Sequence, residues 1–145
     1  MNDFTLKAKS TLEKTNSTLV LYKNGEMYTD SERGVKTLLN FVNNGNKFNG
    51  FSVADKVVGK AAAYLYVLLG IEELYAEVIS EAALGVLGKH GIGIFYGEKA
   101  DRIRNRTNTG FCPMETAVLS IETPEEALTA IREKWNELNQ KGGTK

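Results

Sequence analysis

Three side chains that can do chemistry stand where helices are expected to begin. Cys112 and Glu115 lie three residues apart, and the proline between them favours the first turn of a helix. Lys60 follows Gly59 after an apolar stretch. Because the N–H groups at a helix start favour negative charge, they lower the pKa of a thiol placed there. These residues therefore allow two chemistries, nucleophilic attack by Cys112 or proton transfer between Lys60 and Glu115.

Polar residues around these positions predict an anion site. Asp55 and Lys56 precede the helix that we expect to carry Lys60, and a polar stretch with three arginines precedes Cys112. In an open α/β sheet, ligands bind beyond the carboxyl ends of the strands, beside helix starts whose N–H groups favour anions. Both stretches fit this position, and arginine pairs well with phosphate or carboxylate. The predicted ligand-binding residues are Asp55, Lys56, Lys60, Arg104, Asn105, Arg106 and Thr107.

Each of these residues also has a purely structural interpretation. Lys60 can extend its stem to solvent, and Asp55 can cap the following helix. Cys112 can be an inert small apolar residue, and Glu115 can complement the helix dipole. The arginines can form a solvated surface, and His90, at a predicted helix end, is assigned no function. The sequence leaves both interpretations open.

The spacing of apolar residues predicts the elements that position these side chains. A helix over residues 4–12 is followed by a hairpin, whose strands 18–23 and 27–29 are joined at Asn24-Gly25. Strands and helices then alternate, which implies right-handed crossovers and a partly parallel sheet. The further predicted elements are the strands 50–54, 74–79 and 92–96, the helices 35–42, 57–69 and 81–87, and two last helices that begin at Cys112 and at Thr123. The helix 57–69 is apolar on nearly every side, so we expect it to be buried against the sheet.

Composition narrows the class of protein. The 145 residues suit one domain, which we assign to residues 1–140, with a disordered tail over 141–145. Lys and Arg total 18, as do Asp and Glu, so no net field draws the chain to nucleic acid or to an anionic membrane. The longest apolar run, residues 61–71, is about half of the ~20 residues that a membrane span needs. The first residues do not resemble a secretory leader, and we therefore expect a cytoplasmic protein.

Four segments follow one another along the chain: Ala54-Asp-Lys-Val-Val-Gly-Lys-Ala-Ala-Ala63, Val78-Ile-Ser-Glu81, Asn105-Arg-Thr107 and Cys112-Pro-Met-Glu115. Together they resemble the domain-of-unknown-function family 1893, with a likeness over roughly residues 15–120. The resemblance implies a cytidine deaminase-like fold. In that fold a mixed sheet lies between helices in a three-layer α/β/α arrangement, with a site between two helix N-termini. The activity of the family is unassigned, so the resemblance implies a scaffold and no reaction.

A zinc deaminase needs H-x-E at one helix start and P-C-x-x-C at the next, for its metal ligands and its proton-carrying glutamate. The first position here reads Lys60-Ala61-Ala62, or Gly59-Lys60-Ala61 in the neighbouring register, so the ligand and the general base are both missing. The second position retains Cys112 and has Glu115 in place of the second cysteine. We expect neither bound zinc nor zinc-dependent deamination. In our hypothesis the Lys60 ammonium supplies the positive charge instead. It would face three side chains across a small pocket: Cys112, Glu115 and Asp55.

Three functions are compatible with these observations. The first is a ligand-binding or regulatory domain on a deaminase-like scaffold, with a nucleotide or another small anion as its ligand. The second is an enzyme of unknown chemistry that uses Cys112, or Lys60 with Glu115. The third is a protein-interaction or structural domain, whose exposed apolar surface would be covered in a homo-oligomer. The sequence names no cofactor, and zinc is not expected.

Overall fold

The computed structural model describes residues 1–32, 35–101 and 113–142. The strands are β1 (Leu19–Lys23), β2 (Glu26–Asp30), β3 (Ser52–Val58), β4 (Glu73–Ser80) and β5 (Gly93–Ala100). The helices are α1 (Asp3–Lys14), α2 (Lys36–Asn43), α3 (Lys60–Leu69), α4 (Glu81–Lys89), α5 (Pro113–Ala117) and α6 (Pro124–Gly142). The last helix therefore extends into the stretch 141–145 that the sequence indicates as a tail.

The five strands form one mixed sheet in the order β2-β1-β3-β4-β5. β1 runs antiparallel to both of its neighbours, whereas β3, β4 and β5 are parallel. The turn between β1 and β2 is the predicted hairpin turn, since Asn24 and Gly25 have φ angles of 49° and 87°, the left-handed conformation that a tight two-residue turn requires. The predicted class, an α/β fold with an initial hairpin and a partly parallel sheet, is confirmed.

Helices cover both faces of the sheet. α1 packs on β1 and β3, where Ala8 and Leu12 lie against Val20 and Ala54. The helices α3 and α4, which connect β3 to β4 and β4 to β5, lie together on the opposite face. There α3 contacts α2, α4, α5 and α6. The arrangement is a three-layer α/β/α fold.

The helix α3 lies at the centre of the larger core. Its buried residues are Ala61, Ala62, Ala63, Tyr64, Leu65, Tyr66 and Leu69. The small alanines allow neighbouring elements to approach its backbone closely, and the helix ends at Gly70, whose φ of 82° suits a residue without Cβ. The prediction of a helix buried against the sheet is confirmed. α3 touches four other helices and β3, so its position fixes theirs relative to one another.

The boundary between β3 and α3 differs from the prediction. The strand does not stop at residue 54 but continues to Val58, with Val57 paired to Val78 of β4, and α3 begins at Lys60 rather than at residue 57. The β-branched Val57-Val58 pair fits a strand better than a first helical turn, and the register with β4 extends through it. Asp55 and Lys56 therefore lie inside a strand, and the interpretation of Asp55 as a helix cap is wrong.

Other helix ends agree with the sequence. Thr123 caps the start of α6, since its hydroxyl accepts the Glu126 N–H at 3.2 Å; the same hydroxyl donates to the Glu126 carboxylate at 3.0 Å. His90 stands at the C-terminal end of α4, as predicted. Over the described part of the chain, none of the helices combines the length and the apolar character that crossing a membrane would require.

Candidate functional site

Glu115 holds the start of α3. The residue lies in the first turn of α5, and its side chain is buried, with 8% of its surface exposed. One carboxylate oxygen accepts the Lys60 N–H at 2.7 Å and the other accepts the Ala61 N–H at 2.9 Å. The N-cap residue of α3, Gly59, has no side chain to supply these bonds. A carboxylate from a second helix therefore caps α3, where the helix dipole favours negative charge.

Gly59 makes this approach possible. A Cβ atom added at residue 59 would lie 2.4 Å from the Glu115 carboxyl carbon and 2.4 and 2.7 Å from its two oxygens. These separations are too short for any side chain, so every other amino acid at this position would displace the carboxylate. The Gly-Lys dipeptide is thus part of a cap formed between two helices.

The first turns of α3 also hold the connection between α5 and α6. The Lys60 ammonium donates to the Leu119 carbonyl at 3.0 Å and lies 5.9 Å from the centre of the Tyr64 ring. The Tyr64 hydroxyl donates to the Ile121 carbonyl at 2.9 Å. The ammonium is therefore directed at the α5–α6 connection, and it is the backbone N–H of Lys60 that meets Glu115.

A second polar pair lies between the sheet and α3. Asp55 stands in β3 between Leu19 and Ala76, and its carboxylate accepts a hydrogen bond of 2.5 Å from the Tyr66 hydroxyl. The Val57 N–H adds a longer bond of 3.3 Å. Tyr66 is completely buried, and Asp55 keeps only part of its surface in solvent. The pair is one polar contact within an otherwise apolar interface.

Burial controls the protonation of this pair. Loss of solvation raises the pKa of Asp55 to about 7, although the hydrogen bonds from Tyr66 and from the backbone act in the opposite direction; the nearby Asp30 raises the pKa further. Burial and the Asp55 charge also raise the pKa of Tyr66 well above its usual value. Asp55 is therefore an acid that changes charge near neutral pH.

The remaining predicted site residues are not brought to this place. Lys56 follows Asp55 in a strand, where successive side chains point to opposite faces, so it lies on the α1 side of the sheet. Cys112, Arg104, Asn105, Arg106 and Thr107 lie outside the described residues. Of the residues predicted from the sequence, Glu115 accepts a hydrogen bond from the backbone of Lys60, and Asp55 accepts one from Tyr66 of the same helix, α3.

Two important residues, Tyr66 and Gly59, were not identified as partners from the sequence. A tyrosine in a helix that is buried all round needs a hydrogen-bond partner for its hydroxyl, and this requirement is the signal for Tyr66. A helix that begins after glycine with no capping side chain needs its cap from elsewhere, which is the signal for Gly59. Neither signal names the partner, because both contacts are distant along the chain.

The residues at the start of α3 do not fit a zinc ion. Zinc requires about three protein ligands with free lone pairs, whereas this position presents two backbone N–H donors and the lysine side chain of Lys60, none of which can bind a cation in this form. The Glu115 oxygens already accept those N–H groups. Within the described ranges, no three His, Cys, Asp or Glu side chains are grouped so that they could hold a metal ion.

Fold and site together define an α/β domain whose central helix is capped by a carboxylate from another helix start. The chain belongs to the family described as Domain of unknown function (DUF1893), TM1506, whose model matches residues 7–135. It is similar to the crystal structure of a DUF1893 family protein (TM1506) from Thermotoga maritima, with 27% identity, 92% of each chain covered and a TM-score of 0.83. No curated protein matches the chain. The family resemblance of the four sequence segments is confirmed.

Removing the cap should destabilise the domain. Glu115→Ala leaves two N–H groups without their charged acceptor, and we expect the free energy of unfolding to fall by roughly 3 kcal/mol. Gly59→Ala should cost a similar amount by displacing the carboxylate, but much less in the Glu115→Ala background, where the added methyl group has room. Urea unfolding of the two single variants and the double variant measures this coupling. Glu133→Ala, at an exposed position of α6, is the control, and additive effects of the two substitutions would contradict the contact.

Asp55 should make stability depend on pH. The folded state binds the proton more tightly than an unfolded chain, in which an aspartate has a pKa of ~3.9. Protonated Asp55 therefore contributes fully to the free energy of unfolding below about pH 4, and this contribution is lost as the pH rises through about 7. Asparagine at this position does not titrate. As the pH rises from about 4 to 8, we therefore expect the free energy of unfolding of Asp55→Asn to increase relative to that of the wild type by a few kcal/mol. Urea unfolding across this range checks the difference, with Asp3→Asn as an exposed control; a constant difference would show that Asp55 titrates alike in both states.

Proposed function

We propose that this chain is a ligand-binding or regulatory domain on a deaminase-like scaffold, and that its ligand is a nucleotide-like anion. The observation that carries the proposal is the Glu115 carboxylate bound by the start of α3. In this proposal the protein's own carboxylate occupies the place where a deaminase would hold its catalytic metal.

The arrangement of elements supports the deaminase-like scaffold. The sheet is mixed, helices cover both faces, and the starts of α3 and α5 lie together at the carboxyl end of β3. This is the arrangement that the family resemblance implies, with a site between two helix starts. In an open α/β sheet the same edge is where ligands bind.

The contacts of the described residues favour binding over catalysis. Both Glu115 oxygens accept backbone N–H groups, so a proton transfer through this carboxylate would break the cap of the central helix. The Lys60 ammonium is held by the Leu119 carbonyl. The enzyme alternative that pairs Lys60 with Glu115 therefore has no geometric support, and the alternative with Cys112 concerns a residue outside the described ranges.

The anionic character of the ligand follows from what the α3 start already binds. Two adjacent N–H groups at the positive end of a helix hold one carboxylate, and phosphate or carboxylate oxygens of a ligand fit the same donors. A ligand at this position must displace Glu115. Binding would then release the first turn of α5 from α3, which gives the domain a means of responding to its ligand.

Competition between ligand and Glu115 gives a direct test. We expect nucleoside monophosphates at millimolar concentration to raise the melting temperature of the wild type by about 5 °C, and inorganic phosphate to do so less. Glu115→Gln competes less well for the two N–H groups, so the same nucleotides should bind it several-fold more tightly by calorimetry. Glu133→Gln is the matched control and should behave as the wild type.

Two outcomes would contradict the proposal. If no nucleotide stabilises either the wild type or Glu115→Gln, the domain does not bind this class of ligand. If a nucleotide binds both proteins with equal affinity, its site is not the start of α3.

A further inference from the structure

The outer edge of β5 has no strand partner among the described residues. β5 is eight residues long, and the five residues from Phe95 to Lys99 are exposed. Phe95 and Tyr96 alternate between the two faces of the sheet and are 37% and 45% exposed. A long exposed edge strand presents unpaired backbone N–H and C=O groups to any chain that can add to it. As far as the described residues go, this edge is therefore open to strand pairing.

We propose that two copies of the chain associate through β5, paired antiparallel with Gly97 on the two-fold axis. The two sheets would then join into one continuous sheet. The second copy is the occupant that fits because the side chains of β5 complement one another in this register. The interface is separate from the proposed ligand site, which lies at the carboxyl end of β3, the middle strand of the sheet.

Symmetry restricts the registers that can occur. A two-fold axis perpendicular to the sheet keeps each side chain on its own face, so directly opposed residues are an even number of positions apart. With Gly97 on the axis, Tyr96 is opposed to the second copy's Glu98, and Phe95 to the second copy's Lys99. A phenol then meets a carboxylate and an aromatic ring meets an ammonium, and both kinds of pair attract across neighbouring strands. Symmetry produces each pair twice.

Registers centred on Tyr96, Glu98 or Lys99 are less favourable. An axis at Glu98 opposes two carboxylates, and an axis at Lys99 opposes two ammonium groups. An axis at Tyr96 opposes the apolar Ile94 with Glu98. The register centred on Gly97 avoids these conflicts and uses all of β5 except Gly93.

Lys99 is free to take part in this pairing. Within its own chain its ammonium lies 3.5 Å from the Glu81 carboxylate, and both side chains are largely in solvent. Ion pairs of this kind contribute little, so the lysine can turn to an aromatic ring without a large loss.

The opposite edge of the sheet lacks this self-complementarity. β2 has five residues, and complete antiparallel overlap of two copies centres on Tyr28. That register opposes Glu26 with the second copy's Asp30, so like charges meet at both ends of the strand. Among the two edges of the sheet, β5 is the one suited to self-association.

Sedimentation velocity of the full chain over a range of concentrations tests the interface. We expect a wild-type dimer, and we expect Tyr96→Asp to weaken its dissociation constant at least about tenfold, because carboxylates then oppose one another in two symmetric pairs. Adding Glu98→Lys to Tyr96→Asp restores opposite charges and should recover most of the affinity. Leu6→Asp, on the exposed side of α1, is the control and should leave the dimer unchanged. A wild type that stays monomeric at every concentration, or a dimer unaffected by Tyr96→Asp, overturns the proposal.

Disulfide cross-linking tests the register. In a Cys112→Ser background, Tyr96→Cys combined with Glu98→Cys should give a covalent dimer on oxidation, since these residues oppose each other across the axis. Tyr96→Cys alone should not. A covalent dimer from Tyr96→Cys alone would place the axis at residue 96 and overturn the register centred on Gly97.

Discussion

The carboxylate of Glu115 on the two N–H groups at the start of α3 is the contact on which the arrangement of the C-terminal part depends. Gly59, the N-cap residue of α3, has no side chain that could accept the first N–H groups of the helix, so the acceptor comes from another part of the chain. Capping by α5 satisfies them and fixes α5 in the same contact. Lys60 and Tyr64 then hold the backbone of residues 119 and 121, which sets where α6 begins.

The second polar contact of α3, between Asp55 and Tyr66, differs from the Glu115 cap because it lies where burial disfavours a charged carboxylate. Asp55 and Tyr66 satisfy one another in an apolar interface, and the cost of charging Asp55 there raises its pKa to about 7. The N–H groups at the start of α3 stabilise a negative charge on Glu115, whereas burial disfavours a negative charge on Asp55. The central helix is thus bounded by two carboxyl groups in opposite electrostatic settings, one at its start and one along its side.

Local patterns predicted much of the fold, and tertiary contacts account for the differences. The Asn24-Gly25 turn, the start of the last helix at Thr123 and the burial of α3 depend on neighbouring residues, so the sequence predicts them directly. The β3–α3 boundary depends on pairing with β4, which extends the strand through Val57. At the site, the sequence singled out Glu115 and Asp55. It paired both with the Lys60 ammonium, whereas Glu115 accepts the backbone N–H groups of Lys60 and Ala61 and Asp55 accepts the Tyr66 hydroxyl. These contacts span up to 55 residues of chain and are determined by packing.

Amide hydrogen exchange of individual residues tests the Glu115 cap most directly. We expect the Lys60 and Ala61 amides to be protected in the wild type and to exchange at least about tenfold faster in Glu115→Gln, whose amide group offers one acceptor oxygen in place of two. The Ala83 amide, capped by the Ser80 side chain at the start of α4, serves as the internal reference and should exchange at the same rate in both proteins. Equal exchange rates for Lys60 and Ala61 in the wild type and in Glu115→Gln would show that the Glu115 carboxylate does not hold the start of the central helix.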